Sequence, residues 1–136
     1  MAAVDIKDLE YYIGCNQGEA YYFNFVSEEI ERIDDIITEL SISKEDFIYD
    51  YYYYNYIPLP ALNVTTAYDG FIDSLNNKKI SALFRDVDKE DSLKYWLKFD
   101  EVFHVGMERR FWEEYYDRYV HKKAVEWCNE YGIYLK

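Results

Sequence analysis

The chain is poor in the residues that usually announce a covalent framework or an active site. It has two cysteines, two histidines, two prolines and five glycines among 136 residues. No apolar run approaches the roughly 18–20 residues needed to cross a bilayer. The opening MAAVDIKDLEYY puts acids where a signal peptide has a basic head and an apolar middle. A cytoplasmic location is therefore expected. Nothing in the composition demands that Cys15 and Cys128 pair, and a reducing compartment would keep them as thiols. No nucleophile motif, phosphate-binding loop or metal-ligand spacing stands out, so no catalytic residue, cofactor or metal is expected. Cys15, Cys128, His104 and His121 contain no pair at zinc-ligand spacing.

Basic residues are scarce in one half. Residues 1–77 hold fifteen Asp/Glu against three Lys/Arg, which accounts for the whole net charge of −12; residues 78–136 hold twelve of each. Nucleic acid and anionic membrane are poor partners for the first half, because phosphate binding requires the opposite sign. A basic protein would be attracted. The plainer alternative is that the acids keep an aromatic surface in solution.

Aromatic residues, by contrast, are abundant. Seventeen tyrosines, eight phenylalanines and three tryptophans mark a chain that collapses into a core rather than a disordered one. The length suits one domain, residues 1–136, with an acidic sheet-containing part over 1–62 and a charge-balanced helical part over 63–136. There is no internal repeat, and the few Gly and Pro make the breaks readable.

Ile6, Leu9 and Ile13 sit at helical spacing behind Asp5, with Gly14 as the stop and GCNQGE as a loop. AYYFNFV, residues 20–26, reads as a strand with Tyr21, Phe23 and Phe25 on one face. In SEEIERIDDIITEL, residues 27–40, periodicity favours a helix capped by Ser27. A turn at 27–29, a short return strand and a helix near 34–40 also fit. In DFIYDYYYYNYIPLP, residues 46–60, Tyr51–Tyr54 run without interruption. Residues 47–57 read as a strand ended by Pro58 and Pro60. Four helices follow: one capped by Thr65 or Thr66, one around Ile80–Val87, one starting at Ser92, and a long one over 108–131. The third carries Leu93, Trp96, Leu97, Phe99 and Phe103 on its apolar side. Gly132 sits where a helix C-terminal glycine belongs, and GIYLK can dock back on the core. The expected class is α+β, a small N-terminal antiparallel sheet packed by four to five helices, with a helical C-terminal half.

YYFNFVSEEIERI, YIPLP, AYDGFIDSL, WLKFDEV and MERRFWEEYYDRYVHKKAVEWCNEYGI together resemble a bacterial uncharacterised protein family of the UPF type. The resemblance covers about residues 5–133. It is most specific at Trp112, Ala124, Glu126, Trp127, Gly132 and Ile133. It implies a hairpin at the contested stretch, where the family turns on Thr-Gly and this chain has Ser27-Glu28. The family's Gly-rich basic loop is replaced here by DVDKEDSLKY. The family has no established activity, so the resemblance implies a fold and no mechanism.

Adjacent acids such as Glu113–Glu114 point to different sides of an element, which does not favour paired acid–base work. Arg109, Arg110, Lys122 and Lys123 lie near Tyr and Trp, but the neighbouring acids oppose a nucleic-acid groove. The functional expectation is a non-enzymatic acidic interaction module that binds a basic protein. In its sharper form it mimics nucleic acid and inhibits a nucleic-acid-binding protein, as an anti-defence or immunity protein of bacterial or phage origin would. The candidate carboxylates are Glu28, Glu29, Glu31, Asp34, Asp35, Glu39, Glu45, Asp46 and Asp50, with Tyr51, Tyr52, Tyr53 and Tyr54 as anchors. The rival expectation is a small-ligand or enzymatic pocket lined by Trp96, Trp112 and Trp127. The oligomeric state is open.

Overall fold

The structure, a computed structural model, describes residues 2–16 and 20–136. The fold is α+β, with a small antiparallel sheet in the N-terminal half and a helical C-terminal half. It divides into two compact units. The first holds residues up to Leu62 together with Val120–Lys136, and the second holds Asn63–Tyr119.

In the first unit, β1 (Ala3–Val4) leads into α1 (Ile6–Cys15). Asp5 caps α1 by accepting from the N–H groups of Lys7 and Asp8, relieving two of the orphan donors at a helix start. Gly14 does not stop this helix, which runs on to Cys15; the Gln17–Glu19 part of the expected loop lies outside the described residues. Next come β2 (Tyr21–Asn24) and β3 (Glu29–Arg32), followed by α2 (Ile33–Leu40). The helix favoured by periodicity from Ser27 is thus replaced by the hairpin. The reason is local. The Asn24 side chain accepts from the N–H groups of Val26 and Ser27, both at 2.9 Å, and its carbonyl accepts from Glu28 N–H at 2.8 Å. An Asx-type turn of this kind competes directly with helix initiation.

The strand expected over 47–57 is also overturned. Residues 44–50 form α3 (Lys44–Asp50), and the strand that survives is β4 (Tyr56–Pro58). Ser43 accepts from Asp46 N–H at 3.1 Å, and Glu45 and Asp46 occupy the first turn, where acids suit the helix dipole. After α3 the tyrosines continue as tight turns. Tyr53, Tyr54 and Asn55 donate in succession to the carbonyls of Asp50, Tyr51 and Tyr52. Asn55, at φ +72°, then redirects the chain into β4. Capping and turn chemistry outweigh the β-propensity of aromatic side chains, which is weak outside a sheet.

The sheet order is β3-β2-β4, all antiparallel. Being central, β2 buries both faces. Tyr22 packs with Ile33, Ile36, Phe47 and Tyr56, while Phe23 meets Trp127 edge-on at 5.8 Å. Tyr21 and Phe25, expected on one face with Phe23, are half-buried where Phe23 is fully buried. The Trp127 indole N–H donates to the Pro58 carbonyl at 2.9 Å. The C-terminal tail docks as expected: β5 (Tyr134–Leu135) pairs in parallel with β1.

The second unit is helical. It contains α4 (Val64–Ser74), α5 (Lys78–Leu83), α6 (Ser92–Val102) and residues up to Tyr119 of α7 (Met107–Tyr131). Seven helices are thus described where four to five were expected, and one of the additional ones, α3, takes the place of a strand. Asn63, not a threonine, caps α4, and Asp91, not Ser92, caps α6. Tyr68, Phe71, Phe99, Phe103 and Trp112 form the core, with Tyr68 stacked on Phe99 at 4.1 Å. The buried stripe of α6 is Tyr95 and Phe99; Leu93, Trp96 and Leu97 are exposed. Of the expected apolar side, Phe99 and Phe103 are buried, while Tyr95 takes the place of Leu93, Trp96 and Leu97.

Candidate functional site

The acids singled out in the sequence all belong to the first unit, on consecutive elements from the hairpin turn to the end of α3. Glu28 sits in the turn at φ +63°, and its carboxylate accepts from Ala3 N–H. Glu29 is exposed on β3, whereas Glu31 is half-buried and accepts from the Tyr56 hydroxyl at 2.8 Å. Asp34 and Asp35 are exposed in the first turn of α2, Asp34 lying 3.4 Å from the Arg32 guanidinium. Glu39, one turn further along, is exposed. Glu45 and Asp46 occupy the first turn of α3 and Asp50 its last residue, all exposed.

These acids are not equivalent. Glu31 and Glu39 act on Tyr56, whose pKa is pushed up to about 12. Burial is the main cause, a hydrogen bond with Asn24 opposes it, and the negative charge of Glu31 and Glu39 adds to it. Glu31 is thereby committed to the sheet. The remaining acids face solvent, and a surface ion pair such as Asp34 with Arg32 contributes little.

The tyrosine block divides in the same way. Tyr51 and Tyr54 are half-buried against the core, near Tyr22 and Phe47 respectively. Tyr52 and Tyr53 are 68% and 79% exposed, and Tyr49, which the strand reading gave no special place, is 86% exposed. Helical and turn geometry is what separates them: alternation along a strand would have paired Tyr49 with Tyr51 and Tyr53.

Tyr52 also borders a cleft that the sequence does not reveal. It measures about 560 Å³ and is lined by Ala2, Phe25, Val26, Glu28, Tyr52, Ile57, Tyr131, Gly132 and Ile133. The Phe25 and Tyr52 rings lie 5.3 Å apart. Only Glu28 and Tyr52 among these residues were candidates; Phe25, Val26 and Ile57 come from the sheet and its hairpin turn, and Ala2 and residues 131–133 from the two ends of the chain, which the β1–β5 pairing brings together.

The other candidates resolve individually. His121 lies 2.6 Å from Glu10 rather than on a purely solvated face. His104 lies 3.6 Å from Asp100. Arg109 is engaged by Asp100 and Glu113, and Lys122 by Glu126. Trp112 belongs to the core of the second unit, Trp127 is buried in the first, and Trp96 is half-exposed. Among the described residues, no three His, Cys, Asp or Glu side chains gather as a metal-ligand set. No helix among them is long and apolar enough to cross a membrane. No protein-family model matches the chain, and no curated protein or solved structure is significantly similar to it.

Proposed function

We propose that this chain is a non-enzymatic interaction module of the cytoplasm that binds a basic protein through the acids and exposed tyrosines of its first unit. In the sharper reading the partner is a nucleic-acid-binding protein, and the carboxylates stand in for phosphates. The observation that carries this is a contiguous stretch, residues 28–50, in which eight of the nine candidate acids are exposed, followed directly by exposed Tyr52 and Tyr53. Exposed acids with few basic neighbours steer a cationic partner. Tyrosine supplies contact area at low conformational cost.

The test is affinity capture at low salt with elution by a salt gradient. A basic protein should elute by moderate salt, be displaced by double-stranded DNA, and be lost when Asp34, Asp35, Glu45 and Asp46 become Asn or Gln. Glu31 is left intact because it serves the sheet. Retention of the same partner by the substituted chain, or a partner indifferent to DNA, would count against the sharper reading.

A further inference from the structure

We infer that the cleft beside the hairpin is a receptor for an arginine side chain of the basic partner, with Glu28 as its carboxylate and Phe25, Tyr52 and Tyr131 as its aromatic walls. This deepens the proposed function and rests on it.

Three independent features point to a cation. The first is Glu28. Its backbone is left-handed, at φ +63°, a conformation that favours glycine and strains a residue with a Cβ. The chain nevertheless carries a carboxylate there, on the rim of the cleft, where one oxygen accepts from Ala3 N–H and a carboxylate can accept from further donors. The second is the aromatic lining. Phe25 and Tyr52 pack on each other at 5.3 Å, Tyr52 is 68% exposed and Tyr131 42% exposed, so a planar cation meets the outer ring surface of Tyr52 and Tyr131 rather than a slot between rings. The third is the end of α7. The cleft is lined by Tyr131 and Gly132, where this 25-residue helix ends with no basic residue in its last turn. The negative end of the helix dipole is thus left without a cation of its own helix.

Guanidinium fits this set better than ammonium. It stacks flat on aromatic rings and pairs with a carboxylate in a fixed fork, whereas lysine offers a hydrated point charge. The occupant is a protein side chain because the surrounding unit carries fifteen Asp/Glu against six Lys/Arg, a field that suits a polybasic surface.

The experiment titrates the intact chain with a hexa-arginine peptide and a hexa-lysine peptide, following amide and aromatic NMR shifts. Hexa-arginine should shift Phe25, Glu28, Tyr52 and Tyr131 and bind more tightly than hexa-lysine. Glu28→Gly and Tyr52→Ser should each weaken hexa-arginine binding roughly tenfold. Glu28→Gly suits the left-handed backbone but gives up the bond from Ala3 N–H, so Glu28→Gln, which keeps an acceptor oxygen and removes the charge, is the second variant; Tyr52 is exposed, and thermal melts verify that all three fold. Binding that shifts only the α2 and α3 acids and ignores all three substitutions would overturn the arginine receptor while leaving the acidic-surface reading intact. Absence of hexa-arginine binding would overturn the receptor whatever the affinity capture returns.

Discussion

The Tyr56 hydroxyl reaches across the central strand β2 to the Glu31 carboxylate, 2.8 Å away. Tyr56 stands opposite Asn24 and Glu31 opposite Tyr22, so the bond ties the two outer strands of the sheet to each other over the strand between them. A candidate binding acid thereby becomes a structural one.

Burial of the Tyr56 phenol, together with this bond, makes the first unit sensitive to alkali. The folded state holds the Tyr56 phenol neutral up to about pH 12, against an ordinary value near 10. A raised pKa means the folded chain retains a proton that the unfolded chain loses. Its stabilisation is full below pH 10 and is lost as pH rises through 12. Tyr56→Phe should remove one of the late-titrating phenols from the alkaline absorbance titration, Tyr95 being raised further still, and flatten the fall in stability between pH 10 and 12. It should cost about 1 kcal/mol at neutral pH through the lost hydrogen bond. An unchanged alkaline profile in the variant would contradict this.

Asn16 is the buried polar residue among the described ones, 3% exposed, and all its hydrogen-bonding capacity is used. Its amide donates to the carbonyls of Leu59 at 3.3 Å and Pro60 at 3.0 Å, and its oxygen accepts from the N–H groups of Ala20 and Tyr21. Asn16→Ala strands four backbone groups and should cost about 2–4 kcal/mol in urea unfolding. Asn16→Asp should be no better, since a carboxylate cannot donate to two carbonyls.

Gly70, in α4, would place any added methyl on the Tyr115 hydroxyl. Helix propensity alone would make Gly70→Ala stabilising by about 1 kcal/mol. The Tyr115 ring, packed on Phe71 at 5.6 Å, cannot retreat freely, so the substitution should instead destabilise by about 1–3 kcal/mol. Adding Tyr115→Phe should recover part of the loss. Thermal melts of the single and double variants decide the sign.

The two thiols should behave as different species. Cys15 is exposed, while Cys128 is buried and its thiol pKa is raised by that burial. With a disulfide-exchange reagent at pH 8, one thiol should react at once and the second only after denaturant is added. Two fast thiols in the native chain would show that the packing around Cys128 opens readily.

Much of this architecture was legible because its causes are local. Asp5 before an Ile–Leu–Ile stripe and Gly132 after a long helix each act through bonds to residues a few positions away. The charge asymmetry is likewise a property of composition. The α+β class followed from such signals even where a single element was misassigned.

What the sequence left open depends on partners distant along the chain. Tyr49–Tyr54 suits a strand by propensity, but a strand needs a neighbour to pair with, and the helix cap at Ser43 and the turn at Asn55 are satisfied without one. In α6 both Tyr95–Phe99 and Trp96–Leu97 can make an apolar face; packing against Tyr68 and Phe84 selected the former. The cleft joins residues 2, 25, 26, 28, 52, 57 and 131–133, which the pairings of β1 with β5 and of β2 with β4 and the Phe25–Tyr52 contact bring together. Composition and local bonding thus determined the fold class, the helix ends and the sign of the charge. Which aromatic faces were buried, and where a cleft opened, was decided by tertiary contacts, because burial is a property of surfaces that meet rather than of any one stretch of chain.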